Sequence, residues 1–224
     1  AGPGTPPDGA AAARRFVTLA PTLLGGPRTG SIASRTTRAW LRRPSDEIIA
    51  AVDACLVLLA DHELAASTLA VRVAASVRTD PTAALAAGLT VVGGRLHGGA
   101  SRAAADLVAE AVRIGAVEAV AARADAGARL PGFGHSVYRS GDPRFAPLLE
   151  RVRDVGASAV VDAVDGIVAE AGRRLAQLPN VDLGVGALLV AAGLPVDAPL
   201  FAVARIAGWG AHVDEELAER PVRF

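Results

Sequence analysis

The apolar positions Val160, Val161, Val164, Ile167, Val168, Ala171 and Leu175 lie on a single stripe of a helix. The same spacing returns at Ile48, Ile49, Val52, Cys55, Leu56 and Leu59. No stretch keeps a sustained period of two, and no internal repeat is evident. Half of the residues are hydrophobic, but only 4% are aromatic. Alanine, valine and leucine must therefore build the core, which favours closely packed helices over a β-sandwich. The expected fold class is all-α.

Helix boundaries can be read from their punctuation. Residues 1–12, rich in Gly, Pro and Ala, read as a disordered lead-in, and 13–42 as a short helix or two. Ser45 can cap a helix whose first turn holds Asp46 and Glu47. Asp61-His62-Glu63 stands before a helix to about Val77, and Thr79-Asp80-Pro81 opens another to about Val92. Glycines at 93–99 break it, and helical composition resumes over 100–126. A long helical stretch, about 145–177, has a possible kink at Gly156. Pro179-Asn180-Val181-Asp182 starts a short apolar helix to about Ala192, and Asp197-Ala198-Pro199 starts the last, to about Leu217.

Composition narrows the function classes. Formal net charge is zero, so neither a nucleic-acid nor a membrane partner is implied. All 23 basic residues are Arg, so a phosphate or carboxylate must be held by Arg, His or backbone. The single cysteine, Cys55, rules out an internal disulfide and reads as a buried small hydrophobe. No signal peptide or membrane-length apolar span is present, so the cytoplasm is the default location. The chain starts at Ala1 and is expected to be a fragment or a processed form.

Against this helical background, Leu130–Arg144 stands apart. It gathers Pro131, Gly132, Gly134, Gly141 and Pro143 around His135, with Arg139 and Arg144 able to meet an anion. It reads either as a surface turn or as an anion-binding loop with a catalytic histidine. His62, His97, His135 and Asp182 all fall at helix ends or breaks, where free backbone groups converge. A carboxylate with neutral imidazoles suits proton abstraction beside a carbonyl. Each residue also fits a plainer role: Asp182 a helix cap, His97 a loop histidine, His62 a solvated helix end. Metal-binding spacing is absent and no metal site is expected. The glycines at 93–99 lack a phosphate-loop ending, and no serine-hydrolase elbow occurs.

In order, these motifs resemble the citrate synthase family. Leu96-His97-Gly98-Gly99-Ala100 looks like its LHGGA segment. Gly132-Phe133-Gly134-His135, Val137-Tyr138 and Asp142-Pro143-Arg144 look like its GFGHxVY…DPR loop. Pro179-Asn180-Val181-Asp182 looks like PNVD, and Phe201–Arg205 with Gly208-Trp209 and Ala211-His212 looks like the final helix; Asp61-His62-Glu63 matches the upstream DHE. The resemblance implies an all-helical fold with a large and a small domain. Residues 45–97 and 197–224 would belong to the large domain, 98–196 would form the small one, and 1–44 would be linker and helices of uncertain extent. It also implies condensation of acetyl-CoA or propionyl-CoA with oxaloacetate, with the acyl-CoA as a substrate and no cofactor. Asp182 would be the base, His97 would stabilise the enol, and His135 would polarise the ketone. His62, Arg144 and Arg205 would hold the dicarboxylate, joined across a homodimer by Arg220 or Arg223. Leu130, Pro131, Gly132, Phe133, Gly134 and Arg139 would hold CoA.

The chain departs from the family pattern at several points. It is N-terminally short. Arg95 replaces the usual proline, Ser101 the usual asparagine, and Leu183-Gly184-Val185-Gly186 follows the base. The shortness keeps two further readings open: a citryl-CoA lyase on the same scaffold, or a non-catalytic citrate- or CoA-binding regulator or partner subunit of a longer homologue.

Overall fold

A computed structural model describes residues 8–94, 97, 99–126 and 129–221. Among these residues there are eleven α-helices and no strand: α1 (Gly9–Leu23), α2 (Ile32–Thr37), α3 (Asp46–Leu58), α4 (Ala66–Ser76), α5 (Pro81–Val92), α6 (Ala100–Ile114), α7 (Ala116–Asp125), α8 (Phe145–Asp154), α9 (Ser158–Arg174), α10 (Val181–Ala192) and α11 (Leu200–Ala218). The all-α expectation is met. No described helix is long and apolar enough to cross a membrane.

Local chemistry accounts for the helix starts. The Ser45 hydroxyl accepts the Ile48 N–H at 3.3 Å, and Asp80 accepts the Thr82 N–H at 2.8 Å, with Pro81 as the first residue of α5. Three expectations need correction. Residues 9–12 are helical rather than an unstructured lead-in, because Asp8 caps α1 and Gly9 and Ala13 pack tightly on Gly210; residues 1–7 lie outside the described residues. The stretch 145–177 is two helices, broken where Gly156 takes a φ of 82°. The stretch 100–126 is likewise broken at Gly115, with a φ of 98°.

The chain forms two compact units. The first comprises residues up to Ala39, Leu59–Gly98 and Pro199 onward. Here α11 lies against α1, α4 and α5 around fully buried Trp209, with Val71, Leu85, Ile206 and Val213. The second comprises Trp40–Leu58 and Gly99–Ala198. Its central element is α10, which packs on α3, α6, α8 and α9 and is buried on nearly every face. The helix α3, which the resemblance assigns to the large-domain part, packs within this second unit on α8 and α10. Its Cys55 is fully buried, and burial pushes the thiol up to about 12.

Helix α10 and α6 meet with their backbones close together. A Cβ at Gly186 would stand 2.6 Å from the Ala105 nitrogen and 2.7 Å from the Ala104 carbonyl carbon, neither of which can turn aside. Gly172 in α9 has nothing within 4 Å of such a position. Gly186→Ala is therefore expected to destabilise the protein by about 2 kcal/mol through overpacking. Gly172→Ala should stabilise it by about 0.5–1 kcal/mol through helix propensity. Chemical denaturation of the two variants tests both signs.

Candidate active site

In the second unit the loop before α8 is tied to the N-terminus of α10. Asn180 caps α10, its Oδ1 accepting the Asp182 N–H at 3.0 Å. Its Nδ2 donates to the Gly134 carbonyl at 2.6 Å, and its own N–H donates to the Gly132 carbonyl at 2.9 Å. The Gly134 N–H donates to the Leu178 carbonyl at 2.8 Å, and Phe133 and Pro179 form an isolated antiparallel bridge. Gly132 and Gly134 take φ values of 80° and 76°, and a Cβ on Gly132 would lie 2.7 Å from that of Leu183. Both conformation and space therefore call for glycine at 132.

Asp142 makes the second tie. Its Oδ1 accepts the Arg144 N–H at 3.0 Å and Nε at 2.9 Å. Its Oδ2 accepts Arg144 Nη2 at 2.8 Å and the Val181 N–H at 3.0 Å. The carboxylate is wholly buried. Burial raises its pKa, but the hydrogen bonds and charge of Arg144 outweigh that and hold it below the ordinary value. The Arg144 guanidinium, fixed on one side by this pair, also lies 4.9 Å from the Tyr138 ring centre.

His135 Nδ1 accepts the N–H groups of Val137 and Tyr138, both at 3.1 Å. A ring nitrogen that accepts cannot carry the proton, so the imidazole is neutral with its hydrogen on Nε2. That tautomer presents a donor. Asp182, in the first turn of α10, is partly buried and receives the Ser101 hydroxyl on Oδ1 at 2.6 Å. Burial pushes its pKa above the ordinary carboxylate value, although Ser101 and Arg144 pull the other way. A carboxylate raised in this way is a better proton acceptor than a solvated one.

The first unit by itself holds His62, His97 and Arg205. Arg205 is 1% exposed. Its Nη1 donates to the Ala60 carbonyl at 2.7 Å and lies 3.4 Å from Asp61, and its Nη2 donates to Thr68. Burial raises the Asp61 pKa, but Arg205 and the turn N–H groups of His62 and Glu63 bring it below the ordinary value. His62 meets Phe201 edge to face, with ring centres 5.0 Å apart. Glu63 holds a left-handed φ of 52°, which is costly for a residue with a side chain. His97 Nε2 is 2.9 Å from the buried Ser67 hydroxyl, which orients the ring.

A cavity of about 630 Å³ opens in the second unit. Leu130, Phe133, Gly134 and His135 line it, together with Arg129, Arg174 and Gln177. Of the residues expected at CoA, Pro131 and Gly132 are absent from this lining, and Arg139 is exposed on the loop beyond. Arg220 is exposed, and Arg223 lies outside the described residues. Sequence reasoning missed Arg129, Arg174, the Ser67 contact to His97 and the clamping role of Asn180. Only Asn180 carried a local signal, as a cap residue directly before an apolar helix. Among the described residues no cluster of three His, Cys, Asp or Glu could hold a metal.

The two carboxylates at α10 have opposite linkage to pH. The Asp142 pKa is lowered on folding, so its stabilisation is present above about 3.8, the ordinary carboxylate value, and is lost as pH falls through the lower folded value. Asp142→Asn should cost about 3 kcal/mol at pH 7, a deficit that shrinks in acid. The Asp182 pKa is raised, so the native state binds the extra proton and its charged form is a burden once pH rises past the folded value. Asp182→Asn should therefore raise the melting temperature at pH 7–8 and lose that advantage on acidification. Thermal melts across pH test both slopes.

Residues 7–223 match the family model "Citrate synthase, C-terminal domain". The chain is 36% identical over 179 residues to the citrate synthase of Synechocystis, covering 74% of this chain and 44% of that one. It is 33% identical over 180 residues to the 2-methylcitrate synthase of Mycobacterium tuberculosis, covering 77% and 46%. It thus spans about half the length of these curated relatives. Among solved structures it resembles the citrate synthase of Thermoplasma acidophilum, solved as a ternary complex with carboxymethyl coenzyme A and oxaloacetate, with a TM-score of 0.77, 27% identity, and coverage of 96% and 63%. It also resembles the citryl-CoA lyase of Hydrogenobacter thermophilus, with a TM-score of 0.76, 27% identity, and coverage of 85% and 78%. The helical architecture, the motif order and these matches agree: the chain belongs to the citrate synthase family.

Proposed function

We propose that this chain carries the reacting groups of a citrate synthase-type condensation. An acyl-CoA, acetyl or propionyl, joins oxaloacetate to give citrate or 2-methylcitrate and free CoA. The observation that carries the reading is the pairing, within one unit, of a carboxylate made more basic by burial with a neutral histidine held as an Nε2–H donor. Asp182 takes a proton from the carbon beside the thioester. His97, oriented by Ser67, donates to the thioester oxygen as it gains charge. The enol carbon attacks the ketone of oxaloacetate while His135 donates to the ketone oxygen. Water then hydrolyses the citryl thioester and releases CoA.

The dicarboxylate would be held by His62, Arg144 and Arg205. Asp142 fixes the orientation of Arg144, and Ala60 and Thr68 fix that of Arg205, so little side-chain freedom remains to be lost on binding. The cavity beside Leu130, Phe133 and Gly134 suits part of CoA, with Arg129 and Arg174 at its wall, and Arg139, outside that lining, is assigned to a CoA phosphate. The reading needs no cofactor. It carries with it a cytoplasmic homodimer in which Arg220 or Arg223 of one chain completes the site of the other. A second reading, cleavage of citryl-CoA to acetyl-CoA and oxaloacetate, is supported by the likeness to the Hydrogenobacter thermophilus lyase, whose TM-score of 0.76 stands beside 0.77 for the Thermoplasma synthase.

The test is release of CoA thiol by the purified protein. Turnover should require both oxaloacetate and an acyl-CoA, and the faster acyl-CoA identifies the product. Asp182→Ala should lower the rate about 10³-fold. Cleavage of supplied citryl-CoA without condensation would move the assignment to the lyase, and binding of oxaloacetate without either reaction would overturn both.

A further inference from the structure

We propose that Ser101 is a positioning residue for the Asp182 base: its hydroxyl holds carboxylate oxygen Oδ1 and leaves Oδ2 to take the substrate proton. This rests on the assignment of Asp182 as the base. The contact of 2.6 Å lies in the range of a charge-assisted O–H···O⁻ bond. An ionised carboxylate can only accept, so the hydroxyl donates. Oδ2 takes no hydrogen bond from any described residue. The two oxygens are therefore distinguished, one anchored and the other available.

The anchor is held by rigid elements. Ser101 lies in the first turn of α6 and Asp182 in the first turn of α10, and the tight backbone contact of α6 with Gly186 fixes the two helices together. Asn180 fixes the Asp182 backbone from the other side. The hydroxyl is also reversible. Once Asp182 carries the proton, the Ser101 oxygen can accept instead of donate, so the contact survives both protonation states. A serine at this position thus does what an aliphatic residue of the same size cannot. The charged and titratable groups facing Asp182 are Arg144, Asp142 and His135, and Ser101→Ala deletes none of them.

The experiment follows the Asp182 carboxyl directly by carbon-13 NMR titration of the whole chain, alongside pH profiles of CoA-thiol release. Ser101→Ala should raise the Asp182 pKa by about one unit. Ser101→Thr should restore it, and Ser101→Cys, with a weak S–H donor, should shift it part of the way. In turnover, Ser101→Ala should move the acidic limb of kcat upward by the same amount. It should also lower the plateau roughly tenfold, with KM for acyl-CoA nearly unchanged. A purely structural serine would lower the melting temperature and leave the titration in place. An unmoved Asp182 titration in Ser101→Ala and Ser101→Cys overturns the proposal, whatever happens to the rate. If the wild-type protein shows no turnover, the condensing reading fails, and the titration still decides whether Ser101 controls this carboxylate.

Discussion

The buried carboxylate of Asp142 is the contact on which the second unit's site depends. One side chain accepts four hydrogen bonds, three from Arg144 and one from the Val181 backbone. It fixes the guanidinium, and it also joins the glycine-rich loop to the N-terminus of α10. An ion pair removed from water gains little stability by itself, because both charges give up hydration. Its worth here is geometric. The pair fixes how His135, Arg144 and Asp182 stand relative to one another, and Asn180 repeats the tie through the Gly132 and Gly134 carbonyls.

The first unit uses the same device in another form. Arg205 is buried under the turn between α3 and α4 and is held by a carbonyl and a hydroxyl, with Asp61 as its nearest carboxylate. The turn that carries His62 holds Glu63 in a left-handed conformation, a strained arrangement kept by its surroundings. In both units a charged side chain is secured by backbone and polar groups before any substrate arrives. Under the proposed function, preorganisation of that kind would lower the cost of binding a dicarboxylate.

Several parts of the fold were legible because local chemistry decides them. Ser45, Asp80 and Asn180 cap the helices that follow them, and Pro81 begins α5, as residues of these types do wherever a helix starts. The breaks at Gly115 and Gly156 were harder to place. Both lie inside continuous helical composition, and only the positive φ at each shows that the chain turns there rather than kinks. The start of α1 was hidden for a different reason. A run of Gly and Ala looks featureless until Gly9 and Ala13 are seen fitting against Gly210 some two hundred residues later.

By itself the sequence determined the helical class and the order of the motifs, and it marked His62, His97, His135, Arg144, Asp182 and Arg205 as candidates, because periodicity, capping and motif spacing are local properties of the chain. Tertiary structure alone decided what each of these side chains touches. The neutral tautomer of His135 follows from two backbone N–H groups that the loop folds onto it, and the raised pKa of Asp182 follows from burial at the end of α10. Ser101 reaches Asp182 across 81 positions of sequence. No spacing rule records that approach, since it depends on two helices packing closely enough at Gly186 for the hydroxyl and the carboxylate to meet.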